Sequence, residues 1–436
     1  MKTHSQQIRQ KLMTIINEMS EKPWLFAKNP KKDFTRNRKL SFKTLITLLL
    51  YMGGNSIGNE LYKYFDFNVT TATTSAFVQQ REKLLPCALE YLLHKFTNSF
   101  DHIKTYKGYR LLAVDGSSIS IAHNPNDTDS YFKQDERKGY NLLHLNAMYD
   151  LCNQIYTDVH IQPLRKMDEY DAFAKMVDRS RISQKSIVIA DRGYESYNLF
   201  AHIEKKGWNY LIRVKDINSN GILSGFDLPS SNEFDVKINT ILTRKQTKEV
   251  KDNPKLFKFL PKNSRFDYLD LHHNKYYPIS LRVLRIKVND ELYETIITNL
   301  DSAQFSPCDI KELYSLRWGI ETSFRKLKYT VGLVNFHSKK IDCITQEIFA
   351  RLIMYNFSEI IVARIIVSTK SNKYTYKVNF SLAVLVCKRL ILPLCKARLP
   401  NIEALLGKNI LPVRIGRHLP RKLNTKSSVS FLYRVA

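Results

Sequence analysis

Twice in this chain a nearly continuous apolar run stops at an aspartate with a glycine within two residues. "LLAVDG" ends at Asp115 and Gly116, and "IVIADRG" at Asp191 and Gly193. A run that is apolar at successive positions, without alternation, reads as a strand buried on both faces. Each run therefore predicts a buried strand that delivers a carboxylate at or near its end. Two such strands, with helical patterns around them, place the chain in the α/β class.

The texture on either side divides the sequence. Residues 1–105 read as helical, because "LSFKTLITLLLYM" and "EYLLHKFTNSF" are apolar at mixed three and four spacing. Between them "VTTATTSAFVQQREKLLP" reads as a capped helix carrying Gln79, Gln80, Arg81 and Lys83, either a recognition helix or a member of the bundle. Residues 106–206 hold both aspartate strands, an antiparallel hairpin in "LLHLNAMYDLCNQIYTDVHIQP" and a helix around "EYDAFAKMVDRS". Residues 207–306 are β-rich, with "WNYLIRV", "FDVKINTILT", "YPISLRVLRIKV" and "YETIITNL" separated by polar turns. Helix returns over 307–345, and 346–436 form a helical, basic C-terminal region.

The helix that follows the β-rich stretch has a start and a stop. Ser306 caps it, Pro307 suits its first turn, Asp309 lies at the positive dipole end, and Gly332 ends it. At about 100° per residue, Tyr314, Arg317, Glu321, Arg325 and Lys328 fall within about 80° of one another, as one stripe. Leu313, Leu316, Ile320, Phe324 and Leu327 form an adjoining apolar stripe that would dock on a core. Alone, the polar stripe reads as surface ion pairs, Arg317 to Glu321 and Glu321 to Arg325.

Charge argues for more. The 68 Lys and Arg outnumber 41 Asp and Glu, a formal +27 with pI about 9.7, which calls for a polyanionic partner, either nucleic acid or an acidic membrane. Basic residues crowd both ends: seven from Lys28 to Lys43 against Asp33, and eleven from Lys388 onward against Glu403. No apolar run reaches the ~20 residues of a membrane span. The opening "MKTHSQQIRQKL" has no apolar signal segment either. The expectation is therefore a cytoplasmic, nucleoid-associated protein with no membrane partner. Six cysteines, at 87, 152, 308, 343, 387 and 395, make no CxxC and no zinc spacing, and are expected to be reduced and mostly packed.

Two strand-borne aspartates and a helix-borne glutamate suit two-metal phosphoryl transfer, in which Mg²⁺ takes hard oxygen ligands. Asp115, Asp191 and Glu321 are the candidate ligands for two Mg²⁺ ions, with Mn²⁺ as a substitute. Walker A, HExxH and GxSxG patterns are absent, and the adjacent His272 and His273 read as solvated turn residues.

"VDGS" at Asp115, "ADRGY" at Asp191 and the spacing Y-x2-R-x3-E-x6-K from Tyr314 to Lys328 together resemble the DDE transposases of bacterial insertion sequences. Specifically, they resemble the insertion-sequence-four family that bears the Y-R-E-K signature. The resemblance implies an RNase H-like catalytic core with a β-rich insertion before its last acidic residue. It also implies Asp115, Asp191 and Glu321 as the catalytic, metal-binding triad, and Tyr314, Arg317 and Lys328 as grips on DNA phosphates. Trp318 matches an aromatic common in the signature, stacking on a displaced base or packing in the core; Arg325, outside the signature, is a general phosphate contact or ion-pair partner. The implied partners are the double-stranded terminal inverted repeats and target DNA, held by a homodimer. Excision in similar proteins passes through a hairpin. The rival expectations are a structure-specific nuclease on the same core and a non-catalytic DNA-binding protein derived from a transposase.

Overall fold

A computed structural model describes residues 3–100, 103–133, 135, 138–217, 219–270, 275–289, 292–365, 375–392 and 401–413. Five helices come first: α1 (His4–Glu21), α2 (Phe42–Tyr51), α3 (Ile57–Tyr64), α4 (Thr74–Arg81) and α5 (Cys87–Thr97). The first four begin where Thr3, Ser41, Ser56 and Thr73 accept a backbone N–H three residues on, which satisfies one donor the helix leaves unpaired.

The middle of the chain runs β1 (Arg110–Ile121), β2 (Tyr131–Phe132), β3 (Tyr140–Asp150), β4 (Ile155–Pro163), α6 (Glu169–Arg179), β5 (Ser186–Ala190), α7 (Tyr197–Lys205) and β6 (Asn209–Val214). It continues through β7 (Phe234–Thr243), α8 (Lys248–Asp252), β8 (Phe257–Phe259), β9 (Tyr276–Lys287) and β10 (Tyr293–Thr298). These strands make one mixed ten-stranded sheet in the order β2-β3-β1-β5-β6-β10-β9-β7-β8, with β4 paired to β3. At its centre β1, β5 and β6 are parallel, and all other neighbours except β7 and β8 are antiparallel. The strands of the β-rich stretch thus continue the same sheet that holds Asp115.

Both faces of the central strands are covered, as their unbroken apolar runs require. On one face Leu112, Val114, Val188 and Ile212 pack with Phe173 and Val177 of α6 and Phe200 of α7. On the other, Leu111, Ile187, Ile189 and Leu211 pack under Ile310 and Leu313 of α9 (Pro307–Ser315). The largest core joins α1, α2 and α5 to α11 (Ile341–Val362), α12 (Phe380–Ile391) and the β3–β4 side of the sheet. The last described strands are β11 (Tyr376–Val378) and β12 (Ile410–Pro412), which pair, while α13 (Ile402–Lys408) packs on α12.

Several expectations change. Asp115 lies inside β1, because β3 pairs with β1 from Leu112 to Ile121 and carries the strand past the end of β5. The single long helix is interrupted: after α9 the chain tightens, α10 spans Trp318–Arg325, and a π-helix takes Lys326–Val331 before Gly332 at φ 98°. Arg317, Gly319 and Ile320 donate to carbonyls three residues back, at 3.1, 2.9 and 3.1 Å. That tight turn rotates Leu316 out of the apolar stripe, and it is 40% exposed, while Leu313, Ile320, Phe324 and Leu327 stay buried. Among the described cysteines all are free, but only Cys343 and Cys387 are buried; Cys87 and Cys308 sit exposed at the starts of α5 and α9. Cys395, His272 and His273 lie outside the described residues, as does the tail from residue 414. Among the described residues no helix is long and apolar enough to cross a membrane.

Candidate active site

The parallel register brings the two aspartates level. Ala113 pairs with Ile189 in the last β1–β5 row, and two residues further on come Asp115 and Asp191. Strands in register are about 4.8 Å apart, and residues at the same level point to the same face. That face is the one α9 covers, so both carboxylates point toward α9 and α10. Asp115 Oδ1 accepts from the Gly116 N–H at 2.8 Å, and Asp191 Oδ1 from the Gly193 N–H at 2.8 Å. The second bond caps a single 3-10 turn, Arg192–Tyr194, which fixes the direction of Asp191.

Arg317 joins the helix to this sheet end. Its buried guanidinium donates from Nη2 to Glu321 Oε1 at 2.9 Å, and its Nη1 lies 3.8 Å from Asp115 Oδ2. It also lies 5.8 Å from the Tyr314 ring centre and 5.5 Å from that of Trp318. Its Nε is buried with no hydrogen-bond partner among the described residues, an unusual state for a buried donor. Burial pushes the Asp115 carboxyl up to about 6; the Gly116 N–H and Arg317 oppose this, and the negative charges of Asp191 and Glu321 reinforce it. Burial alone would lower the affinity of Arg317 for its proton, but Tyr314, Glu321 and Asp115 more than offset it.

The other residues of the stripe divide. Lys328, on the π-helix, donates to the Ser118 carbonyl of β1 at 2.8 Å, so its amine lies beside the strand that carries Asp115. Tyr314 is buried under Arg317. Arg325 is exposed and makes no ion pair among the described residues, so the expected Glu321–Arg325 pair is absent. Trp318 is 56% exposed, which removes core packing as its role. It lines a cleft of about 1020 Å³ with Lys104, Thr322, Lys326, Lys377 and Phe380.

Other groups hold α10 in place. The hydroxyls of Tyr156 on β4 and Ser323 are 2.8 Å apart, and Lys326 donates to Glu359 of α11 at 2.6 Å. Gly319 admits Leu151, whose Cδ2 would be 2.8 Å from a Cβ there. Gly116 has a comparable reason: a Cβ would meet His144 Nε2 at 2.4 Å and Glu169 Oε1 at 2.6 Å. The His144 and Glu169 atoms are themselves 2.8 Å apart, packed behind the Asp115 backbone. Sequence reasoning missed this pair. Its one signal was a glycine inside a strand, which marks a close approach.

Among the described residues, no three His, Cys, Asp or Glu side chains enclose a metal position as they stand. The donor set nevertheless fits a divalent cation. Three carboxylates repel one another at Asp115, and one arginine offsets them, so positive charge is short there. All the donors are hard carboxylate oxygens, which suit Mg²⁺ or Mn²⁺.

The family model described as the transposase DDE domain matches residues 106–357, more than half of the chain. Among solved structures, a piggyBac transposase synaptic complex with hairpin DNA matches 80% of this chain and 69% of that chain. The identity is 12% and the TM-score 0.41. No curated protein matches.

Proposed function

Since the chain belongs to the transposase DDE domain family, we propose that it is a DNA transposase of the Y-R-E-K type, acting at the terminal inverted repeats of its own insertion sequence. Its catalytic core is RNase H-like, formed by 106–206 and 307–345, with 207–306 as the β-rich insertion. The helical region 1–105 recognises the element end, and the basic region 346–436 adds affinity for the backbone. Two copies act together on paired ends.

The support is chiefly one observation: Arg317 joins Asp115 of β1 to Glu321 of α10 at the sheet end where Asp191 follows β5. Asp115, Asp191 and Glu321 would hold two Mg²⁺ ions, or Mn²⁺. When bound, such ions activate the attacking oxygen and stabilise the leaving one. The protein's own task is positioning and charge complementarity. Arg317, whose Nε is unspent, grips a phosphate beside the triad, with Tyr314 and Lys328 on either side. Trp318 offers its exposed face to a base, and Arg325 reaches a phosphate further along the duplex.

In the first step a water oxygen attacks the phosphorus at the element's 3′ end. The P–O3′ bond breaks, the water proton passes to solvent, and the departing oxygen takes up a proton to become a 3′-hydroxyl. In the second step that 3′-oxygen loses its proton and attacks a phosphorus in target DNA, expelling a target 3′-hydroxyl. The element end is thereby joined.

The test incubates purified protein with Mg²⁺ and labelled DNA carrying the flanking inverted repeat, beside Glu321→Ala. Cutting at the repeat boundary by the wild type alone, then joining to a second DNA, is the expected result. A hairpinned end on a denaturing gel would place a hairpin on the route. Cutting without joining would point to a structure-specific nuclease, and tight binding without cutting to a DNA-binding protein.

A further inference from the structure

The connection between α3 and α4 holds apolar side chains out in water, and does so rigidly. Phe67 is 69% exposed and Val69 97% exposed. The Phe67 ring stacks on the 48% exposed ring of Tyr62, with centroids 6.4 Å apart and planes 15° from parallel. Asp66 and Phe67 both adopt left-handed backbone, φ 53° and 54°, which is strained for a residue as bulky as phenylalanine. The tip is nonetheless well tied. Phe67 N donates to the Tyr62 carbonyl at 2.8 Å, Asn68 Oδ1 accepts from Thr70 N at 2.8 Å and from its hydroxyl at 2.8 Å, and Thr71 N donates to the Asn68 carbonyl at 2.9 Å. Strain kept in a bonded loop whose tip, residues 66–70, is exposed throughout calls for a partner.

Cations lie on one side of this tip. Lys39 donates to the Thr70 hydroxyl at 2.6 Å and lies 5.7 Å from the Phe65 ring centre, which fastens the irregular segment Arg36-Asn37-Arg38 beside the loop. Arg36 and Arg38 beside it and Lys63 at the end of α3 are exposed, and none makes an ion pair among the described residues. A second copy of this chain would bring the same charge to a self-complementary contact, so like would face like. A polyanion with an apolar interior fits both features.

We propose that the 65–71 loop is a wedge for the minor groove of the element end. Phe67, backed by Tyr62, and Val69 enter between base pairs, while Arg36 and Arg38 lie in the adjoining groove. Minor-groove proteins combine apolar wedges with arginines in this way, unstacking one step and bending the duplex. This surface is separate from the carboxylate site in sequence and in role. It rests on the reading above that the chain binds the ends of its own element.

The test compares wild type with Phe67→Gly, which removes the ring and suits left-handed backbone, so it keeps or raises Tm. The probe is a duplex of the flanking inverted repeat with 2-aminopurine substituted in turn along it. Expected are binding weakened at least 10-fold by Phe67→Gly, an unchanged salt slope, and loss of the fluorescence rise at one step. Arg36→Gln with Arg38→Gln should lower the salt slope by about 2. Wild-type affinity and wild-type fluorescence in Phe67→Gly would overturn the wedge, even while cleavage by the wild type upheld the transposase. A variant that binds as wild type but no longer dimerises would overturn it too. Failure of the wild type to bind any inverted repeat would remove the premise itself.

Discussion

Two arginines bracket short, eight-residue helices in this protein, and one carboxylate beside each, Glu347 and Asp115, shifts in the opposite direction to the other. Arg81, at the end of α4, meets Glu347 of α11 at 2.8 Å, donates from Nε to Gln346 at 2.9 Å and bonds the Cys343 carbonyl. Burial alone would raise the Glu347 carboxyl, but Arg81, His337 and Arg351 outweigh it and hold it at about 2. Arg317, at the start of α10, serves Glu321 and, at longer range, Asp115, which is pushed up to about 6. One arginine is fully bonded, while the other keeps an Nε with no partner among the described residues beside a surplus of negative charge. The first pattern belongs to a structural joint between helices. The second belongs to a site that waits for cationic and phosphate partners.

The sharpest way to break that comparison is Glu321→Ala. It should cost cleavage roughly 10³-fold while the fold persists, as loss of one preorganised charge at a reacting centre does. Retained cleavage would deny the site its role. Arg81→Met should do the reverse, destabilising by about 3 kcal/mol, because the buried Glu347 loses its ion-pair partner and keeps only its bonds to His337. Thermal melts would register the loss, and cleavage per folded molecule should hold. Acid titration tests the same joint. Glu347 contributes stability in full above its ordinary 4.5, and that contribution is lost as pH falls toward about 2.

Asp115 has the opposite sign. Its folded pKa of about 6 exceeds the ordinary 3.8, so the folded state binds the proton more tightly. Ionised Asp115 therefore costs stability above pH 6, and the cost fades as pH falls through 4. Asp115→Asn should gain about 1–3 kcal/mol at pH 8 and nothing at pH 4, while losing cleavage. Mg²⁺ should raise the wild-type Tm at pH 8 and leave that of Asp115→Asn unmoved; an equal rise in both would separate metal binding from Asp115. The smallest expected effect is Ser323→Ala, which removes the hydroxyl contact to Tyr156 and should cost about 1 kcal/mol.

Much of the architecture was legible locally. The unbroken apolar runs at 111–114 and 187–190 signalled buried strands, though not that they pair in parallel, and the Ser306-Pro307-Asp309 start of α9 was readable because a cap depends on neighbouring residues alone. The wheel over 314–328 was less reliable. It assumed 3.6 residues per turn, whereas the chain tightens at 316–320 and widens over Lys326–Val331. Gln80 and Arg81 were readable as outward groups on α4, yet both are buried, and Arg81 bonds α11, more than 260 residues away in sequence.

Sequence by itself determined the ingredients: two aspartates at the ends of buried runs, a glutamate four residues beyond an arginine, and a strong excess of positive charge. Those features follow from periodicity and composition, which neighbouring residues carry. Tertiary structure alone decided that β5 stops level with Asp115, that Arg317 reaches across to it, and that Gly116 admits His144. Strand register and helix docking join residues far apart in the chain, and the collective fit of whole packed surfaces sets them.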